Sequence, residues 1–315
     1  MTEKKNRPLT DAQRQIVETA AAIRLDAPTI EDAAFMARQF VQATLPHSDP
    51  KADTWRRVNG NFALGIQAGF NPMTGKTYGL PYGIIPRLLL FWITTEAVKT
   101  KISRLMLGAS LADFKREVGL NPNTGGGARG DARRLHEQMQ RLFSASITFV
   151  GNLSDGRHTG EEVTDLKISN HRVLWWNPKS PGQSTLWQSY VDLTPQFFDA
   201  ILAAPIPIDI RALRALKRSP LALDLYALAC YEAHRVERTG KARVIPWRVL
   251  MKQLGADYES ENAARDFGVK CRLALRKVAA VMPGLRLGKH RGGLCILHGS
   301  SPAIPVKPNG STSCA

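Results

Sequence analysis

One pattern occurs twice in this chain, 136 residues apart, and it limits the possible folds more than any other feature. The first copy lies between Gly83 and Val150. Leu88, Trp92, Thr95 and Val98 recur at helical spacing, and Pro86 sits where a helix can start. A short helix follows through Leu111, Phe114 and Val118, closed by Gly119, where left-handed backbone favours glycine. After a turn holding Gly125, Gly127 and Gly130 come an arginine-rich amphipathic helix and a strand over Ser146 to Val150. Helix, helix, helix, hairpin is the order of a winged helix.

The second copy runs SPLALDLYALACYEAHRV, ARVI, PWRVLMKQLGA and SENAARDFGVKCRLALRKVAAV: long helix, strand, short helix, third helix. The shift carries Phe114 to Leu250, Val118 to Leu254, Gly119 to Gly255, Leu135 to Cys271, Met139 to Leu275 and Leu142 to Val278. Outer positions correspond as well: Arg129 with Arg265, Arg134 with Lys270, and Arg141 with Lys277. Apolar positions coincide by chance in many pairs of amphipathic helices. Three matched basic positions on the solvent side suggest a shared role.

That role is contact with a polyanion. The net charge is +16, and it is spread over folded-looking segments rather than gathered beside a long apolar run, which argues against a membrane surface. The candidate DNA-binding residues are Arg129, Arg133, Arg134, Gln140 and Arg141 in the first unit, and Arg265, Lys270, Arg276 and Lys277 in the second. Guanidinium forks suit guanine, so Arg133, Arg265 and Arg276 are expected at base edges and the other cations on phosphates. Gln140 is preferred over Gln138 for adenine because helical rotation turns it further outward. LRLGKHRGGLCILHG reads as a hairpin whose tip carries Lys289, His290 and Arg291, as a phosphate-gripping wing would. In the first unit the turn NLSDGRHTGEE is read as the wing, although Asp155, Glu161 and Glu162 make it less basic. Two such units can enter successive major grooves, about 10 base pairs apart.

Catalysis finds no support. Gly69 to Thr77 ends in Gly-Lys-Thr, but five residues separate Gly69 from Gly75 where a phosphate loop has four, and Pro72 breaks the segment. Gly125, Gly127 and Gly130 spell GxGxxG after a helix rather than a strand, which fails the dinucleotide fingerprint. The seven histidines show no HxH spacing for a nicking metal site. Cys230, Cys271, Cys295 and Cys314 lack CxxC spacing and read as reduced, structural thiols. No cofactor or metal is expected, and with neither a signal peptide nor a long apolar run the expected compartment is the cytoplasm.

Elsewhere, residues 1–8 read as disordered, and Leu9 to Leu45 as two helices, the second marked by Phe35, Phe40 and Val41 and capped by Thr29. Strands are expected over Asn61 to Phe70, Val163 to Trp176 and Leu186 to Leu193, with NPKSPGQS as a turn, and a helix over Phe197 to Ala203. PIPID, at 205–209, reads as a domain boundary. The fold class is therefore α+β: a helical N-terminal extension (1–60), a first winged helix (61–204), a second (205–299) and a disordered tail (300–315).

YGIIPRLLLFWITTEAVKTK, SLADFKREVGL and GARGDARRLHEQMQRLFSASI resemble the RepA family of plasmid replication initiators, over some 90 residues from Asn61. SPLALDLYALACY and the repeat are similar, more weakly, to the second winged helix of such initiators. The resemblance implies binding to repeated origin sites (iterons) on double-stranded DNA, opening of an adjacent AT-rich duplex, and recruitment of host helicase and its loader. It also implies homodimers formed through the first winged helix that repress the initiator's own promoter. A transcriptional or partition regulator built on the same folds, binding a palindromic operator, is the alternative.

Overall fold

The computed structural model describes residues 8–123, 130–154, 158–175, 189–254 and 262–305. The expected disorder of residues 1–7, the glycine turn through Gly125 and Gly127, the turns at 155–157 and 176–188, Gly255 and Cys314 lie outside the described residues.

The first helix, α1 (Asp11–Leu25), starts at a capping box: the Thr10 hydroxyl accepts from the Gln13 N–H, and the Gln13 side chain accepts from Thr10. The second expected helix is a strand, β1 (Ala33–Ala37), followed by the short α2 (Arg38–Gln42). Thr29 caps no helix, and its backbone N–H instead meets Asp32. The strand forms because PIPID, expected to be a bare boundary, pairs with it antiparallel, Phe35 opposite Pro207. Tertiary pairing overrides local preference here.

Next come β2 (Thr54–Asn59) and β3 (Phe62–Gln67), the small hairpin β4 (Phe70–Asn71) and β5 (Lys76–Thr77), and α3 (Ile84–Thr100). The first unit continues with β6 (Arg104–Met106), α4 (Leu111–Glu117), α5 (Asp131–Ser144), β7 (Ser146–Ser154), β8 (Thr159–Leu166), β9 (Ser169–Val173), β10 (Tyr190–Leu193) and α6 (Pro195–Ala203). PIPID is β11 (Pro205–Asp209), which leads into α7 (Ile210–Leu216). The second unit comprises α8 (Pro220–Thr239), β12 (Arg243–Pro246), α9 (Trp247–Leu254), α10 (Ala263–Val281) and β13 (Gly293–Ile296).

Moved by 136 residues, α3, α4 and α5 fall on α8, α9 and α10 to within four residues at every end. All of the paired apolar positions described here are buried, from Phe114 and Leu250 to Leu142 and Val278. Gly119 has φ +80°, as a helix-terminating glycine requires. The sheets correct one expectation. β7–β8, read as the first wing, joins β2 and β3 in the order β2-β3-β7-β8, whereas β6 pairs with β10 in the order β6-β10-β9. The strand after the long helix thus meets a later hairpin, as β12 meets β13 in the second unit. The paired strands β9 and β10 are the topological counterpart of the second unit's hairpin strands.

The tail also departs from expectation at its start. Ser300 and Ile304 are buried, and the Ser301 N–H donates to the Gly284 carbonyl. Burial pushes the Cys230 and Cys271 thiols up to about 12, so both stay protonated at neutral pH. Among the described residues no helix is long and apolar enough to cross a membrane.

α3 is buried from Ile85 through Thr95, not along one face, because β1, α5, α6 and α8 surround it. That enclosure traps a charge. Arg87 is 2% exposed and all its guanidinium protons are used. Nε and Nη2 donate to the two carboxylate oxygens of Asp224 on α8, each at 2.8 Å, and the rest go to the carbonyls of Leu45, Pro46 and Gly83. His47 Nε2 lies 2.7 Å from the same carboxylate. Burial would raise the Asp224 pKa, but the Arg87 charge and the His47 and Arg87 hydrogen bonds outweigh it and bring it to about 2.

Asp224→Asn or Arg87→Met, each of which breaks a buried pair, is expected to lower stability by about 3–5 kcal/mol in urea unfolding. The depressed carboxyl contributes stability that is complete above its ordinary value of 3.8 and is lost as pH falls towards about 2. Asp224→Asn should flatten that acid limb. An unchanged limb would show that this pair does not set it.

Candidate nucleic-acid interface

The second unit presents its third helix beside its hairpin. α10 forms because Phe267, Cys271, Leu275 and Val278 recur on one buried face against α8 and α9, leaving the polar positions outside. Gly288 N–H donates to the Cys295 carbonyl and Leu297 N–H to the Arg286 carbonyl, closing the hairpin, and β13 pairs with β12. At the tip Lys289, His290 and Arg291 are all exposed.

One side chain locks these parts together. Trp247, the first residue of α9, donates its backbone N–H to the Gly292 carbonyl and its indole Nε1 to the Arg291 carbonyl at 2.9 and 3.0 Å. A Cβ on Gly268 would lie 2.9 Å from the indole Cδ1, so only glycine lets α10 cross here. The Arg272 guanidinium sits 5.6 Å over the same ring. Helix and hairpin are therefore held in one fixed relation by an indole that bonds the hairpin at its edge and packs against α10. Arg272 is not among the residues expected from sequence, although rotation about α10 would have found it; only its contact with Trp247, on another helix, needs the fold.

Arg265, Lys270, Arg276 and Lys277 are all exposed on α10. At 100° per residue Arg265, Arg272 and Arg276 form one stripe, with Lys270 and Lys277 to one side of it. Arg265 and Arg276 have no acidic partner among the described residues.

The first unit is differently armed. Arg129 lies outside the described residues. Arg133 is paired with Glu137 at 2.9 Å and Arg134 with the half-buried Asp131 at 3.7 Å; both arginines are themselves exposed, so a phosphate could compete for them. Arg141 does not point outward as expected: it donates to the Leu80 carbonyl, lies 3.6 Å from Asp49 and covers the Tyr82 ring. Gln140 is half-buried and accepts from Arg172 of β9, which also donates to Ser144. Gln138 is buried and accepts the Tyr82 N–H, so the choice between the two glutamines does follow exposure. Burial pushes His136 below its ordinary range, so it adds no charge at neutral pH. The C-terminal half of α5 is thus occupied by β9 and by the chain around Leu80.

Among the described residues no cluster of histidine, cysteine, aspartate and glutamate could hold a metal ion. Gly268→Ala is expected to cost about 1–3 kcal/mol by pressing on Trp247. In thermal unfolding, a variant as stable as the parent would show that the contact tolerates a methyl group.

A sequence profile described as plasmid-encoded RepA protein matches residues 80–249, more than half of the chain. No curated protein matches the sequence. The chain is similar to a crystal structure of selenomethionine derivatives of domains 2 and 3 of RctB, with TM-score 0.52 and 11% identity over 83% of this chain and 98% of that one. A second crystal structure of RctB domains 2-3 gives TM-score 0.48 and 13% identity, over 82% and 96%. At such identities the first likeness speaks to the fold alone.

Proposed function

Because the chain belongs to the family of plasmid-encoded RepA proteins, we propose that it is a plasmid replication initiator that binds direct repeats in an origin through two winged-helix units. The observation that carries this reading is the outer face of α10, where arginines without acidic partners stand beside a basic hairpin tip fixed by Trp247. Such an arrangement suits a helix in the major groove and a wing on the adjacent phosphates. On this reading the second unit supplies most of the base recognition. The first, whose basic residues are largely engaged within the protein, contributes phosphate contact and the dimer surface.

Bound origin DNA would then be opened at an AT-rich stretch and handed to host helicase and its loader. The activity is one of binding and assembly, with no catalysis and no cofactor, in the cytoplasm of the plasmid's host. A regulator at a palindrome would leave a two-fold symmetric footprint. The initiator is expected to leave a directional one, repeated at each iteron.

Footprinting on the plasmid that encodes the chain tests this, together with affinity across a salt series. Log affinity should fall linearly with log salt. Arg265→Ala should relax base preference at one position, at a cost of about 1–3 kcal/mol, whereas Lys289→Ala should weaken binding to all sequences alike. Equal affinity of both variants and the parent for the protected site would overturn the assignment of the second unit.

A further inference from the structure

The repeat offers an internal control for the outer face of α10. Where the first unit carries the ion pair Arg133–Glu137, the second carries Val269 and Leu273. Both face solvent, Val269 at 45% and Leu273 at 54% exposure. They are four residues apart and so stand one above the other on the helix surface. Neither contributes to the buried face, which Phe267, Cys271, Leu275 and Val278 supply. A branched aliphatic pair there gains little from folding, because about half of its apolar surface stays in water.

The surroundings identify what would cover it. Arg265 lies one turn before Val269 and Arg276 one turn after Leu273, with Lys270, Arg272 and Lys277 alongside, all exposed. A polyanion satisfies this frame, and an apolar protein surface would strand its charges. In the major groove of DNA the apolar group available at the base edges is the thymine C5-methyl. From Arg265 to Arg276 the helix rises about 16 Å, which matches about five base-pair steps.

We propose that Val269 and Leu273 read thymine methyl groups in the major groove, between bases taken by Arg265 and Arg276. The proposal rests on the DNA-binding reading above. It adds that the site bound by the second unit contains thymines at fixed positions, recognised by apolar contact instead of hydrogen bonds. The Arg133–Glu137 pair makes the first unit indifferent to that methyl.

The test uses the full chain and duplexes selected by it from a random pool of base-paired DNA. In the selected duplex each thymine is replaced in turn by deoxyuridine, which removes the methyl and leaves pairing intact. Affinity of the parent should drop about fourfold at one or two positions, the value of one buried methylene. Val269→Ala or Leu273→Ala, with unchanged thermal unfolding, should bind thymine and uracil duplexes alike at the position it reads. If a duplex is selected and Arg265→Ala weakens it while uracil has no effect anywhere, the methyl-reading proposal fails and the DNA-binding reading stands. It fails equally if both alanine variants keep the full uracil penalty, since the methyls are then read elsewhere. If no sequence is enriched over the random pool, sequence-specific binding fails and takes the proposal with it.

Discussion

The two halves of this protein meet on a charge that water cannot reach. Arg87 enters from α3 and Asp224 from α8, corresponding helices of the two units, and the loop carrying Leu45, Pro46 and His47 closes around them. Burying two ions costs several kcal/mol each, and only complete hydrogen bonding offsets it. Every guanidinium proton must therefore find the acceptor it has here. Such a pair adds little net stability over an apolar one, but it admits a single arrangement. A slide of one long helix against the other would leave an ion stranded. The outer positions of both third helices inherit their mutual orientation from that constraint.

Further contacts extend the same junction. Arg57 of β2 donates to the Lys252 carbonyl, and Gln253 to the Val41 carbonyl, so α9 leans on the N-terminal segment. Lys217 donates to the Gly119 carbonyl, covering the end of α4 from the second half. One continuous core runs from Ala20 to Ile296. The chain divides by repeat but packs as one body.

What was legible in the sequence is what repeats locally. The helical spacing of Leu111, Phe114 and Val118, and its echo at Leu250 and Leu254, gave the order of helices and their buried faces. Strand pairing was less accessible, because β1 finds its partner at Pro205–Asp209 and β6 finds β10, and nothing within either segment encodes so distant a neighbour. The same holds at the site. The exposure of Arg265 and Arg276 follows from rotation about one helix. The capture of Arg141 by Leu80 and Asp49, and of Gln140 by Arg172, depends on chain that only the fold brings near.

The pairing of β1 with β11 has a consequence for how the protein is made. Ala33 lies opposite Asp209, and the prolines at 205 and 207 turn their missing N–H groups away from β1, so the N–H groups of Ile206, Ile208 and Ile210 face it. On a ribosome β1 leaves the exit tunnel long before its partner has been synthesised. At about 5–20 residues per second, that interval is of the order of 10–30 s. The first unit must collapse around an unfinished edge, with the buried place of Ala33–Ala37 still unsealed. The opening strand of the chain is among the last to be secured, and the core closes over its own beginning.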